Sequence, residues 1–221
     1  MPKFKLPRKS TNIDMTAMCD VAFLLLSFFM LATKFKPDEP VQVSTPSSIS
    51  EIPIPDADIM LITIDEKGRI FFAIDNKNKR KALIENINEY KGLNLTEQEM
   101  NSFAIGSSIG IPFNKMKSFL SMPPDEQGKI NAQAPGIPID TTNDTEANEL
   151  AAWIRSARNT NPQLRICIKA DGEASYPSIK NVIKTLENWK IFKFNLITSL
   201  EAIPPGTAAY TESQKGMKEG E

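Results

Sequence analysis

The sequence predicts a single N-terminal transmembrane α-helix followed by a small α/β (α+β) domain, with a β-hairpin and a βαβ unit on one mixed sheet. Three observations carry this. Residues 16 to 33, TAMCDVAFLLLSFFMLAT, are apolar almost throughout and contain no Pro or Gly. Prolines 37, 40, 46, 53 and 55 then interrupt the chain at a density no helix tolerates. Beyond them, short apolar runs of strand type alternate with segments of 3.6-residue periodicity. The whole chain has 221 residues, which leaves room for one domain of moderate size beyond the membrane segment.

Residues 1 to 14 form a basic arm with Lys3, Lys5, Arg8 and Lys9. Such an arm sets topology and contacts anionic lipid head groups. As a helix, the apolar run that follows would rise about 27 Å, close to the hydrocarbon thickness of a bilayer. It is longer than the apolar core of a signal peptide, and no small-residue cleavage pattern follows it, so an uncleaved anchor is expected. Lys34 and Lys36 follow the helix beside Asp38 and Glu39, so the basic excess lies on the N-terminal side. This predicts a cytoplasmic N-terminus and a long remainder across the membrane.

The span carries one ionisable side chain, Asp20. A carboxylate at the centre of a membrane helix costs about 2.5–3.5 kcal/mol on insertion scales, so it needs a partner, a wet cavity or a proton. Thr16, Asp20, Phe23 and Ser27 are spaced i, i+4, i+7, i+11 and share one face. The hydroxyls of Thr16 and Ser27 have an alternative use, bonding back to their own helix. Asp20 is the candidate functional residue, with Thr16 and Ser27 as supporting groups.

Residues 36 to 58 read as an extended linker, in which Ile49, Ile52 and Ile54 are apolar enough to dock as an edge strand. Residues 59 to 65 and 69 to 74, joined through Glu66-Lys67-Gly68, predict a hairpin. A helix follows from about Arg80 to Tyr90 with Leu83, Ile84 and Ile87 on one face, and the basic run Lys77 to Lys81 is read as solvated surface. Residues 92 to about 145 look like an insertion. Within it, Thr96 and Glu99 have capping-box spacing for a helix over 97–104. Residues 114–120 predict a short helix, and the prolines of 122–142 predict irregular chain.

The last third predicts a helix over 146–159 burying Leu150, Trp153, Ile154 and Ala157. A strand over 164–170, a helix over 175–189 and a strand over 193–200 complete the βαβ unit. At Asp171-Gly172 a turn residue is preferred to an acid with chemistry to do. The domain is expected to run from 59 to 203 and the polar stretch 204–221 to be a flexible tail.

Composition narrows the function. Histidine is absent, which removes His-based triads and His metal sites and leaves carboxylates as the natural proton carriers. The formal charge of −1 gives no basic field for nucleic acid. Cys19 and Cys167 lie one in the span and one far outside it, so neither a disulfide framework nor a thiolate metal site is expected. No phosphate-cradling glycine motif and no nucleophile–base pair occurs, so no enzyme, cofactor or metal is predicted.

These residues resemble the ExbD/TolR family of bacterial inner membranes. The resemblance rests on IDMTAMCDVAFLLLSFFMLAT after a basic start, on the Pro-rich linker, and on IKADGEASYPSIKNVIKTLENWKIFKFNLIT as a closing strand–helix–strand. It implies that Asp20 carries protons and that Thr16 matches a threonine one turn earlier. The proline often found between those two is Ala17 here. It further implies a single-pass protein of the inner (cytoplasmic) membrane with a periplasmic domain, present as a homodimer inside a multi-span ExbB-like partner. Proton entry would be coupled to a TonB-like protein, or, in the TolR alternative, to envelope integrity. The class outside this family is a membrane-anchored scaffold whose distal module binds a partner while Asp20 only pairs with a basic residue.

Overall fold

A computed structural model describes residues 15–32, 41–48, 58–140 and 148–200. The chain divides into two compact units, 1–37 and 38–221. In the first, α1 (Met15–Ala32) is one uninterrupted helix, as the absence of Pro and Gly requires. It is long and apolar enough to cross a membrane by length and composition, and none of its residues is buried within the chain. The basic arm, the charges flanking the span, Ile49, Ile52, Ile54 and the tail lie outside the described residues.

The second unit is built on a four-stranded mixed sheet of order β3-β2-β4-β5. The hairpin β2 (Ile59–Ile64) and β3 (Ile70–Ile74) is antiparallel, with Ile62 opposite Phe72. Gly68 supplies the positive φ of 74° that its turn needs. β4 (Arg165–Ala170) lies parallel to β2, and β5 (Phe194–Ile197) parallel to β4. Register places Met60, Ile62 and Ile64 in one row system with Ile70, Phe72, Ile74, Ile166 and Ile168, and all of these are buried in a single core.

Helices complete that core. α2 (Lys77–Lys91) starts at Asn76, whose carboxamide oxygen accepts the Asn78 and Lys79 N–H groups, and it stops at Gly92 in the left-handed region. It buries Leu83, Ile84 and Ile87 as expected. α6 (Glu149–Thr160) buries Leu150, Trp153, Ile154 and Ala157, again as expected. α7 (Tyr176–Asn188) links β4 to β5 and buries Val182 and Leu186.

Between α2 and α6 lie three more helices. α3 (Glu97–Ile105) has the expected reciprocal cap: Thr96 Oγ1 accepts from Glu99 N–H at 3.3 Å, and Glu99 Oε2 accepts from Thr96 N–H at 2.7 Å. α4 (Phe113–Leu120) also matches its expectation. The irregular chain expected over 122–142 is a correction, because α5 (Pro124–Ala132) is helical. Pro124 occupies the first helical turn, where its missing N–H has no partner to lose, so it starts this helix instead of breaking it.

These three helices are packed into the core. Trp153, fully buried, stacks on Phe72, Phe103 and Phe113 with ring centroids 5.2, 5.6 and 5.2 Å away. Phe103 and Phe113 come from α3 and α4. Such aromatic pairs add about 0.5–1.5 kcal/mol each beyond the area they bury.

Candidate functional site

Two places concentrate the polar residues that the fold does not need for its core. The first is the face of α1 that carries Thr16, Asp20, Phe23 and Ser27, set by the 3.6-residue repeat. Ser27 Oγ donates to Phe23 O at 2.8 Å, one turn back. That hydroxyl is therefore bonded back to its own helix, one of the two uses the spacing allowed. Asp20 sits one turn beyond Thr16 and one turn before Phe23, exposed along with the helix around it. Among the described residues it has neither a hydrogen-bond nor an ion-pair partner. The structure thus aligns the three predicted residues on one face, bonds Ser27 to the backbone, and gives the acid no partner among the described residues.

The second place is where the linker meets the domain. Asp171 directly follows β4, and its Oδ1 accepts from Glu173 N–H at 3.0 Å, the turn contact expected from the Asp-Gly pair. Its Oδ2 does something the sequence did not reveal: it accepts from Ser44 N–H at 2.9 Å, while Gly172 N–H donates to Ser44 O at 2.9 Å. Two residues past Ser44, Pro46 O accepts from Ser199 N–H at 3.0 Å, and Thr45 Oγ1 meets Ser199 Oγ at 2.6 Å. β1 (Ser47–Ser48) and β6 (Ser199–Leu200) then form a two-stranded parallel sheet. No apolar pattern marks Ser47-Ser48 as a strand, since this strand is made by its partners.

Several charged groups elsewhere in the domain are tied into the fold. Asp65, almost fully buried, accepts from Arg69 N–H and Arg69 Nε at 2.7 and 2.6 Å across the hairpin turn. The same guanidinium donates to Ala132 O and Ala134 O at 2.9 and 3.0 Å. The Thr96 backbone N–H, followed by the Ser121 hydroxyl, holds the Glu99 carboxyl below the usual glutamate range. Burial raises that of Glu149, against the Phe113 N–H it accepts at 2.8 Å and the field of Lys91. Burial likewise pushes the Cys167 thiol up, and both Cys19 and Cys167 are free. In the run of bases at the start of α2, Lys79 pairs with Asp58.

Comparison with known proteins supplies one finding. A family model described as "Biopolymer transport protein ExbD/TolR" matches residues 7–201, nearly the whole chain. No curated protein and no solved structure matches.

Proposed function

The chain belongs to the ExbD/TolR family of biopolymer transport proteins, and on that premise we propose that it is a proton-motive-force-driven motor subunit in which Asp20 carries the proton. In this reading α1 spans the inner membrane with residues 1–14 cytoplasmic and the α/β domain periplasmic. Two copies of α1 stand inside a multi-span ExbB-like partner, since one helix alone cannot enclose a proton path. The domain engages a TonB-like protein and energises outer-membrane transport.

The observation that carries the proposal is the acid on the polar line of the apolar helix α1, unpartnered among the described residues. Lipid penalises its charged form, and a proton removes that charge. Protonated, Asp20 lets the helix move past apolar surface of the partner; ionised, it returns to a polar position. In this reading Thr16, one turn away, would hydrogen-bond the carboxylate in that position. Each proton crossing the full potential delivers about 2.3 kcal/mol per 100 mV, comparable with the cost of hosting the acid. The chain after the helix passes this motion to the domain, where the Asp171 and Ser199 contacts with residues 44–46 are the first grip on it.

Asp20→Asn tests the proposal, because the amide keeps the shape and cannot release a proton. Complex assembly should be unchanged and proton-driven uptake lost. Retained uptake would refute the proton-carrying role.

A further inference from the structure

The two edges of the sheet are treated differently. Among the described residues no further strand pairs with β5. At β3 the backbone of Phe72 and the Ile70 carbonyl are already occupied from outside the sheet. Phe72 N–H donates to Ile109 O and Ile109 N–H to Phe72 O, both at 2.8 Å, and Ile137 N–H donates to Ile70 O at 2.8 Å. The two covering residues flank α4 and α5, so a single excursion of the chain returns to the same strand twice.

Close approach depends on two glycines. Gly136 has φ of 88°, and a Cβ there would lie 2.7 Å from Ile70 N and 3.0 Å from Arg69 Cα. A Cβ on Gly110 would lie 2.4 Å from atoms of the Phe71 ring. Buried polar side chains pin the covering stretch. Asn131 accepts from Gly110 N–H at 2.8 Å and donates to Ser108 O at 2.9 Å. Arg69, held by Asp65, grips Ala132 O and Ala134 O next to Gly136.

An open strand edge is a template for pairing with another chain. A chain anchored by α1 shares the membrane with its own copies, which brings identical edges together at raised effective concentration. Two β3 edges could pair antiparallel about a twofold axis, the symmetry of most homodimers. We propose that residues 108–137 are an edge guard that keeps β3 from pairing with β3 of a second copy of this chain. This role stands apart from the proton reading of Asp20.

The test uses the full chain in lipid nanodiscs carrying several copies, with Cys19→Ser to silence the exposed thiol and Ala73→Cys on β3 as a reporter for a short bis-maleimide. Gly136→Ala should lift the guard. Exchange of the Ile109 and Ile137 amides should accelerate, and cross-linking between copies at residue 73 should rise, each by at least about tenfold over the guarded chain. Protection at Ile168 in β4 should persist. Fast exchange at Ile109 and Ile137 with cross-linking at the guarded level would overturn the proposal. If Gly136→Ala also loses Ile168 protection, Asn131→Ala, which unpins 108–110 without touching β3, carries the test. Unfolding of the sheet in both variants would mean that the stretch is indispensable core, and unchanged exchange in both would mean that these pins hold nothing. Either result overturns the guard.

Discussion

The two units of this chain bury their side chains in opposite ways. In α1 no residue is buried, and its one acid has no partner among the described residues. In the domain, the largest side chains are sealed: Trp153, Phe71 and Phe72 are at most 1% exposed, and the buried acid Asp65 has its arginine. The difference teaches where each unit is completed. The domain packs its own core and pairs its buried acid, leaving a few buried side-chain atoms such as Trp153 Nε1 unbonded, whereas Asp20 in the helix meets no partner among the described residues. In a transport family, that acid is where function is to be sought.

The contrast can be sharpened by damaging the domain alone. Trp153→Ala removes the ring on which Phe72, Phe103 and Phe113 stack. Loss of a buried aromatic of this size costs about 3–5 kcal/mol. Chemical denaturation should show the domain destabilised by that amount while α1 still inserts into membranes. A variant whose helix also failed to insert would break the separation of the two units.

A smaller effect is expected where the linker joins the domain. Asp171→Ala removes the acceptor for the Ser44 and Glu173 N–H groups, contacts that together contribute about 1–3 kcal/mol. Exchange of the Ser44 and Gly172 amides should quicken, with the melting temperature lowered by only a few degrees. If the motion of α1 is passed through this grip, uptake should fall although Asp20 is intact.

The smallest effect concerns acid sensitivity. The Glu99 carboxyl titrates lower in the folded domain than in the unfolded chain, through the Thr96 N–H and the Ser121 hydroxyl. Its stabilisation is therefore fully present above the ordinary glutamate range and is lost as pH falls through the lowered value. Glu149 has the opposite sign: burial raises it, so its contribution weakens as pH rises through the ordinary range toward the raised value. Glu99→Gln keeps the capping-box geometry and should change neutral stability by less than about 1 kcal/mol, while flattening the acid limb of the stability–pH curve. An unchanged acid limb would remove Glu99 from the account.

Much of this architecture was legible because its signals are local. The span, the Ile- and Phe-rich hairpin, the Thr96–Glu99 cap and the periodic faces of α6 and α7 are each written in a short window. Asp20 was equally legible, since a lone acid in an apolar run needs no tertiary information to be noticed. Where the reading failed, competing local signals or distant partners decided. Pro123-Pro124 read as a breaker although proline at the first helical position initiates a helix, and so α5 was missed. The first turn of α2 was masked by its lysine run, although Asn76 stood ready as a cap. The pairing of Ser47-Ser48 with β6, the reach of Asp171 to Ser44, and the two returns of the 108–137 stretch to β3 all join residues far apart in sequence. Periodicity carries no trace of such contacts. Within that stretch, Gly136 and Gly110 stand where a Cβ would meet the Arg69-Ile70 backbone and the Phe71 ring.

The central claim is that Asp20 exchanges its proton during work. Infrared difference spectroscopy on the membrane-reconstituted complex tests it most directly, with the wild-type signal referenced to Asp20→Asn. Imposing a proton gradient should produce a protonated-carboxyl band and its ionised counterpart that interchange, both missing from the variant. A wild-type spectrum that stays the same with and without the gradient would contradict the account.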